Sequence, residues 1–187
     1  FSAVSAAGTG HSRPIDKQPR GGSFPFSFLL KSMDEPYWLD KTRGYIDLAM
    51  HDEASRELDN LPPDKRNSPE AQEMRIIISL DQQNLEEALS LSQNLCAVDP
   101  DNHTGFIQGA YCLHQLGRTV EAIDHIQSGP ESLLDEPVYF YNLACYELAL
   151  GKSQAAMTWL RQSIEMDRTL RGKALTDPDL VSVRDDI

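Results

Sequence analysis

The chain has 187 residues, of which 40% are hydrophobic and 25% charged, and carries a net charge of −12. That composition suits one water-exposed globular or solenoid domain, and no apolar run is long enough to span a bilayer. The acidic balance repels phosphate backbones and anionic lipid surfaces, which argues against nucleic acid and against membranes as partners. Three cysteines, Cys96, Cys112 and Cys145, fall within predicted helices among apolar residues. They read as small buried hydrophobes in a reducing compartment rather than as a disulfide framework. The expected location is therefore cytoplasmic. Because the chain begins at Phe1 rather than Met, it is expected to be a fragment, a processed form or a trimmed chain, and an upstream signal peptide is left open.

In chain order, residues 1–34 read as a flexible tail rich in Ser, Gly and Pro up to Gly22. Within it, Phe24, Phe26, Phe28, Leu29 and Leu30 form an apolar patch. The patch is expected to fold back over the first helix pair, or else to lie in a groove of its own or a neighbouring chain. Helices follow at about 36–50 and 53–61, the second stopped by Pro62-Pro63. Ser68-Pro69-Glu70 is a helix start with an N-cap serine, a first-turn proline and an acid, and that helix carries Met74, Ile77, Ile78 and Leu80. A helix at about 85–98 ends at Asp99-Pro100-Asp101, which is expected to cap the next. Pairs at about 103–116 with 119–128, and 137–150 with 153–167, are separated by a break at Gly129-Pro130. Thr176-Asp177-Pro178-Asp179-Leu180 starts a last helix over about 178–187, whose Leu180, Val183 and Ile187 are expected to cover the end of the array.

Alanine recurs every 34 residues, at Ala54, Ala88, Ala122 and Ala156, each followed by Leu58, Ser92, Ile126 or Leu160 at the next turn of the same face. Phe106 returns as Phe140, Ala110 as Ala144 and Gly117 as Gly151. Registers sharing one step without insertion are the signature of a solenoid built from one supersecondary unit. Small residues at a fixed step let two helix backbones approach, and the glycines end helices where a left-handed residue is needed.

These landmarks resemble the tetratricopeptide (TPR) repeat from about Glu35 to Arg168. Trp38, Tyr45 and Ala54 match in a first repeat, and Ala88 and Pro100 in a second. Phe106, Ala110, Gly117 and Ala122 match in a third, and Phe140, Leu143, Ala144, Gly151 and Ala156 in a fourth. Gln72, Ile76 and Glu147 depart from the pattern. The resemblance implies an all-α, right-handed α-solenoid of about four repeats (35–68, 69–102, 103–136, 137–170) with a capping helix. It also implies that the first helix of each pair lines a concave peptide-binding groove. The groove positions then include Arg43 beside Leu39 and Asp40, Met74 and Ile77 beside Glu73, Ile107, Gln108 and Tyr111, and Tyr141 and Asn142 beside Cys145. Tyrosines offer rigid contact area with a polar tip, and Asn142 and Gln108 can pair with an extended peptide backbone. The two tyrosines can equally serve as packing between helices.

No catalytic constellation, cofactor motif or metal-ligand spacing is present. Cys112 and His114 lie two apart on a helix and read as a core thiol beside a solvated imidazole. Arg43 is the one base among the groove positions, which argues against a clamp for acidic C-terminal tails. The expectation is a non-enzymatic adaptor or assembly scaffold without cofactor or metal that binds another protein or peptide, with a homodimer left open. Residues Leu95–Asp99 through Gly117 also resemble the middle of class II secretion chaperones, which would hold an unfolded client. A regulatory TPR module of a larger enzyme is the third alternative.

Overall fold

Prolines, capping side chains and left-handed turns divide residues 35–187, which the computed structural model describes, into stacked helix pairs. The pairs are α1 (Glu35–Asp47) with α2 (His51–Asp59), α4 (Pro69–Asp81) with α5 (Leu85–Val98), α6 (His103–Gln115) with α7 (Thr119–Gln127), and α8 (Pro137–Ala149) with α9 (Ser153–Met166). A single turn, α3 (Pro63–Arg66), links the first two pairs, and a 3-10 turn (Glu131–Asp135) links the last two. After α9 come α10 (Leu170–Ala174) and a 3-10 segment, Pro178–Asp186. The sequence predicts an α-helix for this last segment, but it is wound more tightly. Expectations for residues 1–34, including the apolar patch at Phe24–Leu30, fall outside the described residues.

The 34-residue step is visible in burial. Ala54, Ala88, Ala122 and Ala156 are buried, as are Leu58, Ser92, Ile126 and Leu160 one turn on. Thr42, Ile76, Ala110 and Ala144 fill the equivalent place on the first helices. Ser92 stays apolar in effect because its hydroxyl donates to the Ala88 carbonyl at 2.8 Å, and Thr42 donates likewise to Trp38 at 2.9 Å. Ile76, 34 residues before Ala110, is buried, whereas Ile77, one of the expected groove positions, faces solvent.

Every first helix ends in the same way. The residue after its last turn is left-handed: Ala49 (φ 55°), Gln83 (59°), Gly117 (76°) and Gly151 (77°). Its amide closes on the carbonyl three residues back, and the next amide reaches five back: Met50 to Tyr45, Asn84 to Ser79, Arg118 to Leu113, each 2.8 Å, and Lys152 to Glu147, 2.9 Å. This double closure satisfies carbonyls that a helix end otherwise leaves open. It also reverses the chain within three residues, which forces the second helix back along the first.

Caps set the starts. Ser68 Oγ accepts from the Ala71 amide at 3.4 Å, as its place before Pro69 implies. The cap of α6 is Asn102, whose Oδ1 accepts from Gly105 at 3.2 Å, and not the preceding Asp99-Pro100-Asp101. Asn102 Nδ2 also donates to Glu73 Oε1 at 2.7 Å, tying one repeat to the next. In the third pair Gly129 takes the place of a core side chain. Leu133 from the 3-10 turn fills that space, so close that a Cβ on Gly129 would lie 2.9 Å from Leu133 Cδ2 and 3.1 Å from Phe106 Cγ. The Gly129-Pro130 break therefore replaces one buried residue with another supplied from a loop.

Candidate functional site

Successive first helices, α1, α4, α6 and α8, contact one another, whereas successive second helices meet at most marginally. The stack is thus closer-packed on its first-helix side, the side on which the repeat resemblance places the groove positions. Three registers at the 34-residue step line it. The most open runs Arg43, Ile77, Tyr111 and then Cys145. Arg43 is exposed and pairs with Asp40 at 3.5 Å, Ile77 is 37% exposed and Tyr111 40%. Cys145 is buried. The neighbouring register, Leu39, Glu73, Ile107 and Tyr141, goes from half-buried to fully buried, with Tyr141 only 2% exposed. In the third, Asp40 is exposed, Met74 is 5% exposed, and Gln108 and Asn142 are half-buried.

Of the eight residues named from the sequence, Arg43, Ile77, Ile107, Gln108 and Tyr111 are thus at least partly accessible, on three successive first helices. Met74 and Tyr141 are not accessible. Met74 turns into the cluster with Ala54, Leu58 and Ile78. Tyr141 and its neighbours are covered by the chain itself. Tyr141 Oη donates to Asp177 Oδ2 at 2.7 Å, and Lys173 Nζ sits 4.6 Å from the Tyr141 ring centroid. Asn142, beside this covered stretch, keeps partial exposure.

His114 differs from its sequence reading. Spacing from Cys112 makes it a solvated imidazole, but its side chain is only 11% exposed. Its ring packs 4.8 Å from that of Tyr146, Nδ1 lies 3.0 Å from Thr119 Oγ1, and Nε2 lies 3.7 Å from Asp179 Oδ2. The only signal in the sequence is the pair Asp177 and Asp179 on either side of a proline. Spacing alone does not say which helix they reach.

Burial pushes the Cys96 and Cys112 thiols up to about 11 and that of Cys145 to about 12, so none is a thiolate nucleophile near neutral pH. Burial likewise raises Tyr141, with Asp177 adding to the effect. Among the described residues no group of His, Cys, Asp and Glu is arranged to hold a metal, and no helix is long and apolar enough to cross a membrane.

Comparison with solved structures shows what this arrangement is similar to. Pseudomonas aeruginosa PilF superposes with a TM-score of 0.67 at 17% identity, covering 78% of this chain and 65% of PilF. TTC0263, a thermophilic TPR protein in Thermus thermophilus, gives 0.63 at 19% over 86% of each chain. MamA from MSR-1 gives 0.57 at 18%, covering 74% of this chain and 80% of MamA. At these identities the likeness establishes the fold, which is the TPR α-solenoid. No protein-family model matches the chain, and no curated protein matches it in sequence.

Proposed function

We propose that this chain is a non-enzymatic interaction module that binds a peptide or protein segment along the first-helix groove and serves as an adaptor or assembly scaffold. The observation that supports this reading is the pair Ile77 and Tyr111. They occupy the same register on adjacent first helices, and both keep more than a third of their surface in water although neither the α4–α5 nor the α6–α7 core needs them. Aromatic and branched apolar groups held on rigid helices are efficient anchors, because little side-chain freedom is lost on contact. Gln108 and Ile107 beside them supply a polar amide and further apolar area. The acidic chain favours a protein partner over nucleic acid.

The test is partner capture by the full chain, by Ile77→Ser/Tyr111→Ala, and by Val120→Ser, which alters an exposed residue on the second helix α7. The expected outcome is loss of the partner by the groove variant alone, with helical circular dichroism unchanged in both. Retention by the groove variant and loss by Val120→Ser would place binding on the other face.

A further inference from the structure

In repeat four two groove positions, Tyr141 and Cys145, are buried, and a short acidic turn packs over Tyr141. Residues 175–179 run from Ala174 to Leu180, both fully buried, while the intervening residues are largely exposed. They form a strap pinned at its two ends. Its first carboxylate, Asp177, divides its oxygens: Oδ1 accepts from the Asp179 amide at 3.0 Å and shapes the turn, and Oδ2 accepts from Tyr141 Oη on α8 at 2.7 Å. Its second, Asp179, is carried past α8 to His114 Nε2 on α6, 3.7 Å away. Two residues apart in sequence, the carboxylates thus span two first helices. The covered positions Tyr141 and Cys145 are the register equivalents of Ile107 and Tyr111, which line the open strip.

We propose that this strap is a built-in ligand: the groove end formed by Tyr141 and His114 recognises a short segment with two carboxylates separated by one residue, and the chain's own Asp177-Pro178-Asp179 holds that place until a partner segment of the same chemistry displaces it. The inference rests on the groove reading above and names the partner's chemistry at one end of it. Tyr141 differs from a lysine–arginine clamp because its hydroxyl offers one directional, uncharged donor, to Asp177 Oδ2 at 2.7 Å, while His114 Nε2 lies 3.7 Å from the second carboxylate. Affinity for a free segment is therefore modest, and selectivity comes from the fixed spacing between Tyr141 and His114. Tethering gives the resident strap a high effective concentration, so an added segment competes poorly while both carboxylates are intact. The apolar anchors Leu180 and Val183 lie beyond the strap, so the turn can lift while they stay in the core.

The probe is the synthetic peptide acetyl-Thr-Asp-Pro-Asp-Leu-amide, titrated into the full chain and into the full chain carrying Asp177→Asn/Asp179→Asn. Binding is read from the amide resonances of α6 and α8. The expected result is binding at least about tenfold tighter to the variant than to the parent. It should be abolished by adding Tyr141→Phe and absent for a peptide with asparagine at both acidic positions. If the variant keeps its helical spectrum but does not bind the peptide, or binds both peptides alike, the strap is a fixed cap and the inference is overturned. Should the double variant unfold, Tyr141→Phe alone decides: hydrogen exchange of residues 177–181 is expected to quicken several-fold with α8 unchanged, and unchanged exchange overturns the proposal. Peptide binding at Tyr141 and His114, combined with partner capture that survives Ile77→Ser/Tyr111→Ala, would instead uphold this site and sink the wider groove reading.

Discussion

Gln83 shows where a single residue opposes its own backbone. It occupies the left-handed position that glycine fills in the last two repeats, with φ of 59°, and Ala49 does so at 55°. A side chain in that region raises the energy of the folded state, and glycine relieves it while making the unfolded chain freer. The net expectation for Gln83→Gly is a gain of about 0.5–1 kcal/mol, read as a higher urea midpoint with unchanged slope. A lower midpoint would mean that the Gln83 side chain contributes more than the strain removes. His125 is the complementary case. It packs beside Phe106 with ring centroids 5.6 Å apart and against the Gly105 carbonyl at 3.5 Å. Burial lowers its affinity for a proton below the ordinary value of 6.5, and the carbonyl contact opposes this only in part. The unfolded chain then binds that proton more readily than the folded one. The stabilising neutral form is therefore fully expressed above about pH 6.5 and is lost as the pH falls below it. His125→Gln is expected to flatten the fall in melting temperature between about pH 7.5 and pH 5.5. An identical fall in both proteins would show that other groups govern it.

At the scale of elements, close approach of helices depends on small residues whose neighbours leave no slack. Gly105 on α6 faces α5 so tightly that a Cβ would lie 2.7 Å from Cys96 Sγ and 3.1 Å from the Ser92 carbonyl oxygen. Ala122, on α7, is fully buried where that helix crosses its partner. Ala122→Leu is expected to destabilise by about 1–3 kcal/mol through overpacking. A thermal melt unchanged by that substitution would contradict the assignment of the crossing. These elements are largely legible in the sequence. The alanine step places the crossings, and Gly117, Gly151, Ser68 and the prolines place most helix ends. The first two left-handed turns are not legible, because Ala49 and Gln83 do not announce that conformation; only the step from Gly117 and Gly151 points back to them. The burial of Ile76 follows from the same step, back from Ala110 and Ala144, although three isoleucines in a row leave the helical phase undecided by themselves.

For the whole molecule, the groove side can be read from repeat positions, but its accessible length cannot. Arg43, Ile77, Ile107, Gln108 and Tyr111 are open to different degrees, and Tyr141 is closed because residues far along the chain return to it. Sequence periodicity reports local repeats; it carries no information about a terminal segment that crosses them. The same return explains why His114 is enclosed rather than solvated, since Tyr146 and Asp179 reach it from different elements. The accessible positions thus lie on the first three repeats, and at the fourth Tyr141 is covered by the turn that carries Asp177.

If partners engage the open strip, its residues lie against the bound partner. The most direct measurement is site-specific photo-crosslinking in the full chain, with a photoreactive phenylalanine placed at Tyr111 on α6 or at Val120 on α7, both exposed. The expected result is a partner adduct from position 111 that disappears on adding Ile77→Asp, and none from position 120. An adduct from position 120 with none from position 111, or a position-111 adduct indifferent to Ile77→Asp, would contradict it.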